Sequence, residues 1–549
     1  MPWLARISIM GIWVGLVFFA ASLTPSMIPR GPVLQGVLGG LVMALGYLTW
    51  RIVLGIWRFA DMPEPRGALK TGVLGVLGAI ALGLFIWTLT RTFTWQNDLR
   101  AKMEMPLSDD LDLVTLLVAA LATFAVCFAL GALFSWLVRL VRGRLLRVMP
   151  ERRANVLALL VVGLVLFVVT RDGLYDRIVA GLDASYEAAQ NLFDAAPPPP
   201  NDPDATGGAN SLIDWDGLGT PGRDFVLGGP DAAAIAAFTG EEALQPIRVY
   251  VGRANGDTAQ ERAELALAEL IRRGAFEREI LVVASPTGTG WLDPGSHDPL
   301  EYMHGGDIAT VAAQYSYLQS PLALILETDT GLEQATAMLE TVHRHWQGLP
   351  REARPRLYVH GLSLGAWSSM YATNLFRLVN DPIDGALWAG PPFPSGFWNY
   401  VQTARNEGSP WVLPEIGDGS FIRYASHVAD ASEGAPWGDM RIVFLQYSSD
   451  PIVFYEPRSV WRAPHWMADP PAPDHSAHMQ FMPIVTQFQL ALDMALAFGA
   501  PPGHGHAYYA QDYIVPWVEV TAPADWSSAD TARLKAHCDN GFQNGCTND

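Results

Sequence analysis

Five long apolar stretches crowd the first third of the chain, running roughly from Ile7 to Leu23, Val33 to Trp57, Thr71 to Thr90, Leu113 to Val138 and Val156 to Thr170. Each comes near the ~20 residues an α-helix needs to cross a bilayer, so the pattern predicts about five transmembrane helices. A cleaved signal peptide is the alternative for the first. Thr24-Pro-Ser-Met-Ile-Pro-Arg30 makes a poor small-residue cleavage site, however, and more apolar stretches follow.

Past Thr170 the periodicity changes. A short helix is expected from about Tyr175 to Phe193, after which the prolines and small polar residues from Ala195 to Gly208 read as a semi-rigid and then flexible spacer. Beyond it, strand-like runs (Ile247 to Val251, Ile280 to Ala284, Val311 to Leu318, Arg356 to His360, Ala386 to Trp388, Arg441 to Gln446) alternate with helix-length amphipathic segments. Those segments lie around Glu261 to Arg273, Leu332 to Trp346, Ala366 to Leu378 and Phe481 to Phe498. Alternation of this kind predicts a mostly parallel sheet covered on both faces. The expected organisation is therefore a membrane domain over 1–174, a juxtamembrane helix and linker over 175–210, and an α/β domain over 211–549.

Charge sets the expected orientation. Arg51, Arg58, Arg66 and Lys70 fall in one loop and Arg139, Arg142, Arg144, Arg147, Arg152 and Arg153 in another, which places both loops on the cytoplasmic side. Five spans then put the N-terminus inside and everything after Thr170 outside, in the periplasm or exterior. The net charge is −19, and with the arginines gathered at the membrane the exported part is acidic, which argues against a nucleic-acid partner. Cys538 and Cys546 lie close together in a polar tail and suit a short disulfide in an oxidising compartment. Zinc is the competitor, with His537 beside Cys538, but a fourth spaced ligand is lacking, so no metal is expected there.

Candidate chemistry centres on Gly361-Leu-Ser363-Leu-Gly365, which follows a predicted strand and precedes a predicted helix. That is the context of a nucleophile elbow, in which two glycines leave room for a tight turn presenting the serine at the carboxyl end of the sheet. An activated serine needs a base and an acid that orients the base. Asp450 ends the strand-like run Arg441-Ile-Val-Phe-Leu-Gln-Tyr-Ser-Ser-Asp, and Pro502-Gly-His504-Gly-His506 supplies two histidines. The expected triad is Ser363, Asp450 and His504, with His506 as the alternative base. His475 and His478 are further candidates. For the oxyanion, the backbone N–H of Leu364 and that of Thr287 or Gly288, in Pro286-Thr-Gly-Thr-Gly-Trp291, are expected donors; His304-Gly-Gly-Asp307 is a second-ranked motif. Trp291, Phe393, Phe397 and Trp398 are expected to line a lid or apolar pocket.

These motifs together resemble a bacterial family of α/β-hydrolases with an N-terminal multispanning membrane domain. The shared stretches are Ser22-Leu-Thr-Pro-Ser-Met-Ile-Pro-Arg30, Pro286-Thr-Gly-Thr-Gly-Trp291, Gln314-Tyr-Ser-Tyr-Leu318, Gly361-Leu-Ser-Leu-Gly365, Ser449-Asp-Pro-Ile-Val453 and Pro502-Gly-His-Gly-His506, so the resemblance covers both halves. It implies esterase-type chemistry and leaves the natural substrate open. The expectation is a serine hydrolase in the bacterial inner membrane, acting on a carboxylic or lipid-like ester with no cofactor. An acyltransferase using the same triad on an envelope acceptor is one alternative. A transporter or sensor with a ligand-binding, hydrolase-like outer domain is another, disfavoured by the scarcity of ionisable residues within the spans. Five spans exceed what anchoring needs, which leaves a homo-oligomer interface or a lipid route as their expected role.

Overall fold

The computed structural model describes residues 7–63, 67–110, 112–169, 197–318, 323–324, 327–373, 380–539, 541 and 543–546. The chain forms two compact units. One comprises Met1–Ile178 together with Tyr455–Ala497, and the other Val179–Phe454 together with Phe498–Asp549. The return of 455–497 to the first unit has no counterpart in the expected domain division. The expected juxtamembrane helix over 175–193 lies outside the described residues.

The first unit contains α1 (Ile9–Ser22), α2 (Pro32–Phe59), α3 (Gly67–Lys102), α4 (Leu113–Leu145) and α5 (Glu151–Val168). Three of these, not the expected five, are long and apolar enough to cross a membrane: α2, α3 and α4. The 14-residue α1 rises only about 21 Å, short of a ~30 Å hydrocarbon core. The 18 residues of α5 open with Glu151-Arg152-Arg153, which shortens its apolar part. Small residues let α2 and α4 approach closely: a Cβ on Gly36 or Gly40 would overlap the carbonyl oxygens of Leu116 and Ala120. Large apolar side chains such as Ile56, Val114 and Leu164 remain exposed on these helices, which is compatible with a membrane anchor.

The Ser22 to Arg30 stretch joins α1 to α2, and its polar groups meet the helix Val485–Leu496 of the same unit. The Met27 amide donates to Asp493 Oδ2 at 3.0 Å, and Gln489 Nε2 donates to the Thr24 carbonyl at 2.9 Å. Arg30 is buried, its amide donating to Gln96 Oε1 at 2.9 Å and its Nη2 to the Thr24 carbonyl at 3.0 Å. Burial depresses the Arg30 pKa, partly offset by Asp493, and lifts the Asp493 carboxyl to about 6 against the pull of Arg30.

In the second unit seven strands form one wholly parallel sheet in the order β1-β3-β2-β4-β5-β7-β6. They are β1 (Ile247–Val251), β2 (Ile280–Ser285), β3 (Ile308–Ala313), β4 (Arg356–Leu362), β5 (Gly385–Ala389), β6 (Ile422–Ala425) and β7 (Arg441–Leu445). Nearly every strand residue is buried, as expected for a sheet covered on both faces. Helices Ala259–Arg272 and Leu364–Ala372 both pack on Thr328–Gln347, and Pro294–Met303 and Ser528–His537 both pack on Ala510–Thr521. The third strand ends five residues before expected, because the Gln314 side chain turns the chain by donating to the carbonyls of Thr289 (2.9 Å) and Ser316 (3.1 Å). The glycine-rich stretch expected as a flexible spacer is instead packed: Thr206 is buried and its hydroxyl donates to the Arg248 carbonyl at 2.8 Å. Cys538 and Cys546 form a disulfide, and the Cys546 amide donates to Asp298 Oδ2 at 3.0 Å.

Candidate active site

Ser363 sits between the end of β4 and the start of the helix Leu364–Ala372, in the middle of the sheet. Its backbone adopts φ 57° and ψ −123°, a conformation a β-carbon-bearing residue takes only under constraint. Two packing facts hold it there. A Cβ on Gly361 would overlap the backbone of Gly365, and one on Gly365 would overlap the Ser285 carbonyl at the end of β2. The Ser363 amide donates to the Ala389 carbonyl of β5 at 2.9 Å. The strand, the strained serine and the helix have the geometry of a nucleophile elbow.

Asp450 follows β7 and is fully buried. Its Oδ1 accepts the Ile452 amide at 2.9 Å, and its Oδ2 accepts His506 Nδ1 at 2.6 Å and the Tyr508 hydroxyl at 2.9 Å. Because an ionised carboxylate only accepts, the proton of this contact lies on Nδ1, and Nε2 of a neutral ring carries a lone pair. That Nε2 is buried and has no hydrogen-bond partner among the described residues. The ring lies beside the elbow's neighbour: a Cβ on Gly390, next in sequence to the Ala389 that holds Ser363, would lie 2.8 Å from His506 Cε1 and 2.7 Å from Tyr508 Cε2.

His504, the expected base, faces elsewhere. Its Nδ1 is 3.4 Å from Ser449 Oγ, and its ring packs against His427 at 4.8 Å between centroids. Gly503 and Gly505 both have positive φ, so the backbone turns between the two histidines and sends their side chains to different neighbours. The partner that Asp450 holds is therefore the alternative histidine, His506.

The oxyanion candidates also separate. The Thr287 amide donates to the Trp291 carbonyl at 3.0 Å, closing a turn that the Gly290 amide completes by donating to the Thr287 carbonyl at 2.9 Å. That amide is committed and unable to serve a substrate oxygen. The amides of Leu364 and Gly288 have no partner among the described residues, and the loop carrying Gly288 follows β2, whose Ser285 pairs in register with Gly361. His304 is excluded by position: Ile280 at the amino end of β2 donates to the Asp307 carbonyl, so this motif lies at the opposite end of the strands from Ser363. His304 instead bonds Thr521 Oγ1 at 2.9 Å.

The expected lid aromatics divide between core and surface. Trp398 is buried, its indole N–H donating to Gln446 Oε1 at 2.8 Å, and Phe397 packs edge-on to Trp388 at 5.8 Å, so both belong to the packing over β5 and β7. Phe393 is half-buried with its amide bonded to the Ile452 carbonyl at 2.9 Å, and Trp291 is half-buried in the loop after β2. His475 and His478 belong to the first unit, where they pack against Trp466 and Trp95. His360 on β4, which the sequence did not single out, is a core residue held by the Leu387 carbonyl at 2.7 Å and pushed down to about 4 by burial.

A parallel sheet with a strained serine turn after its middle strand, and a buried Asp-His pair brought in after later strands, defines the α/β-hydrolase class. The chain belongs to the alpha/beta-hydrolase family, matching it over residues 247–534, and the N-terminal portion of that family over residues 23–230. Comparison with curated proteins and with solved structures returns no match.

Proposed function

We propose that the protein is a membrane-anchored serine hydrolase that cleaves carboxylic esters. The observation that carries this reading is the Asp450–His506 contact of 2.6 Å with an unpartnered Nε2 on the same ring, set beside the strained Ser363 turn. Ser363 Oγ attacks the ester carbonyl carbon and gives its proton to His506 Nε2. The carbonyl oxygen becomes an oxyanion received by the amides of Leu364 and Gly288. Collapse of the tetrahedral intermediate breaks the ester C–O bond, and the leaving alkoxide takes the proton from His506. Water, deprotonated by His506, then cleaves the acyl-enzyme and restores Ser363. Asp450 holds the ring in the tautomer that this sequence needs.

The exposed apolar helices of the first unit, carried in the same chain, favour a lipid-like or otherwise apolar ester as substrate. The Cys538–Cys546 disulfide and the acidic balance favour export of the hydrolase unit to an oxidising compartment. The test is fluorophosphonate labelling of the detergent-purified full chain together with hydrolysis of short and long p-nitrophenyl esters. Labelling and turnover should both disappear in Ser363→Ala. Full ester turnover by that variant would refute the reading.

A further inference from the structure

Asp450 is fully buried, so its charge depends on the donors that the protein supplies in place of bulk water. Its Oδ1 accepts the amides of Ile452 at 2.9 Å and Val453 at 3.4 Å, and its Oδ2 accepts His506 Nδ1 at 2.6 Å and the Tyr508 hydroxyl at 2.9 Å. The two amides come with the turn that follows β7, and His506 is the base of the proposed reaction. The Tyr508 hydroxyl is different: Ser-His-Asp chemistry does not itself require it, yet it sits on the one carboxylate oxygen that faces the base.

The surrounding packing fixes this contact. The buried Tyr508 ring stacks on Tyr447 at 4.4 Å and meets the His506 ring edge-on at 5.7 Å. Tyr447 is held in turn by its hydroxyl, which donates to Asp512 Oδ2 at 2.5 Å. Gly390 makes the room: a Cβ there would lie 2.7 Å from Tyr508 Cε2 and 2.8 Å from His506 Cε1, so one glycine admits both rings. Burial, reinforced by the charge of Asp450, pushes the Tyr508 phenol well above its ordinary value, so the hydroxyl stays protonated and able to donate.

We propose that Tyr508 is a positioning residue of the hydrolytic reaction, its hydroxyl holding the Asp450 carboxylate aimed at His506 Nδ1 while that ring carries the proton taken from Ser363. The inference rests on the serine-hydrolase reading of the site. His506 becomes a cation only as the reaction proceeds, so the charge and placement of Asp450 Oδ2 matter more in the transition state than in substrate binding. Loss of the hydroxyl therefore falls on kcat and leaves KM in place.

The experiment measures kcat and KM for p-nitrophenyl ester hydrolysis, with fluorophosphonate labelling rates, on the full chain in detergent. The proteins compared are wild type, Ser363→Ala, Tyr508→Phe, Tyr447→Phe, Asp450→Asn and Asp450→Asn/Tyr508→Phe. Tyr508→Phe keeps the stacked ring and deletes only the hydroxyl; kcat and labelling rate should fall roughly ten- to hundredfold, as for loss of one hydrogen bond to a charged group, with KM within about twofold of wild type. Tyr447→Phe is the matched control, an equally buried ring whose hydroxyl serves Asp512 instead, and its kcat should stay within about threefold of wild type. In the Asp450→Asn background, deleting the Tyr508 hydroxyl should cost less than about twofold, because the carboxylate through which it acts is gone. A Tyr508→Phe protein as fast as wild type, equal losses in Tyr508→Phe and Tyr447→Phe, or a loss that is the same in the wild-type and Asp450→Asn backgrounds would overturn the proposal and leave the hydrolase reading standing. Turnover unaffected by Ser363→Ala would overturn both.

Discussion

The assignment of His506 rather than His504 makes a sharp experimental demand. Asp450→Asn keeps the volume of the side chain but replaces the acceptor facing His506 Nδ1 at 2.6 Å with a group able to donate. The ring is then no longer held in the tautomer whose Nε2 can accept a proton. For triads of this type the loss is about 10⁴-fold in kcat, or roughly 5.5 kcal/mol of activation free energy. His506→Ala removes the base itself and should cost at least as much. The contacts of His504 include a long one of 3.4 Å with Ser449 and a ring contact with His427, neither of them part of the Asp450–His506 pair that His504→Ala leaves in place. One such hydrogen bond contributes roughly 0.5–1.5 kcal/mol, so the expected loss is within about tenfold. The assay is the rate of p-nitrophenyl ester hydrolysis, with fluorophosphonate labelling rates as an independent reading of serine reactivity. A His504→Ala protein that is dead while His506→Ala remains active would refute the assignment.

Other perturbations follow from the same contacts. Asp493→Ala removes the acceptor of the buried Met27 amide and the carboxylate whose charge acts on buried Arg30, and should lower stability by about 1–3 kcal/mol; thermal unfolding in detergent measures it, and a variant as stable as wild type would contradict the contact. Gly390→Ala inserts a methyl at φ 51° beside His506 Cε1, and should slow fluorophosphonate labelling tenfold or more while the protein still folds; unchanged labelling would remove Gly390 from the site. Burial raises the Asp293 carboxyl from 3.8 to about 7, so the native state holds a proton the unfolded chain releases, and this group's contribution is fullest below about pH 4 and lost as pH rises to about 7. Asp293→Asn should therefore flatten the fall in melting temperature across that window, leaving a residual slope from Glu301, which burial likewise raises to about 7.

Much of the fold is legible from periodicity because buried parallel strands are written as unbroken apolar runs: β1, β2, β4, β5 and β7 all lie where such runs end against glycine, proline or a polar turn. β6 escapes because it has four residues, one of them Arg423, whose charge is neutralised only through Glu519, almost a hundred positions later. The elbow is legible because its constraint is local, written in Gly361 and Gly365. The choice of histidine is not, since Pro502-Gly-His-Gly-His506 offers two equivalent side chains and only the path of the backbone decides which meets Asp450. Thr287 fails for a similar reason: whether an amide is free depends on a turn closed four residues away at Trp291.

The least legible feature is the stretch 455–497, because an apolar helix reads alike whether it covers a sheet or packs among membrane helices. The overlooked signal lies in its polar positions, Gln489 and Asp493, which are buried in the first unit against the Ser22 to Arg30 turn. That stretch leaves the hydrolase unit just after Asp450 and returns at Phe498, shortly before His506. Were it a loose loop of about forty residues, bringing its ends together would cost roughly 3 kcal/mol of chain entropy at the Asp450–His506 contact. It is instead ordered by its own bonds, among them the Ile484 amide to the Val460 carbonyl at 2.8 Å and Ser459 to Gln487. The first unit thereby orders the segment that joins the Asp450 loop to the His506 loop. On this argument, the Ser22 to Arg30 motif matters to the Asp-His pair through chain connectivity, and weakening Arg30 or Asp493 should slow serine labelling without altering any residue of the triad.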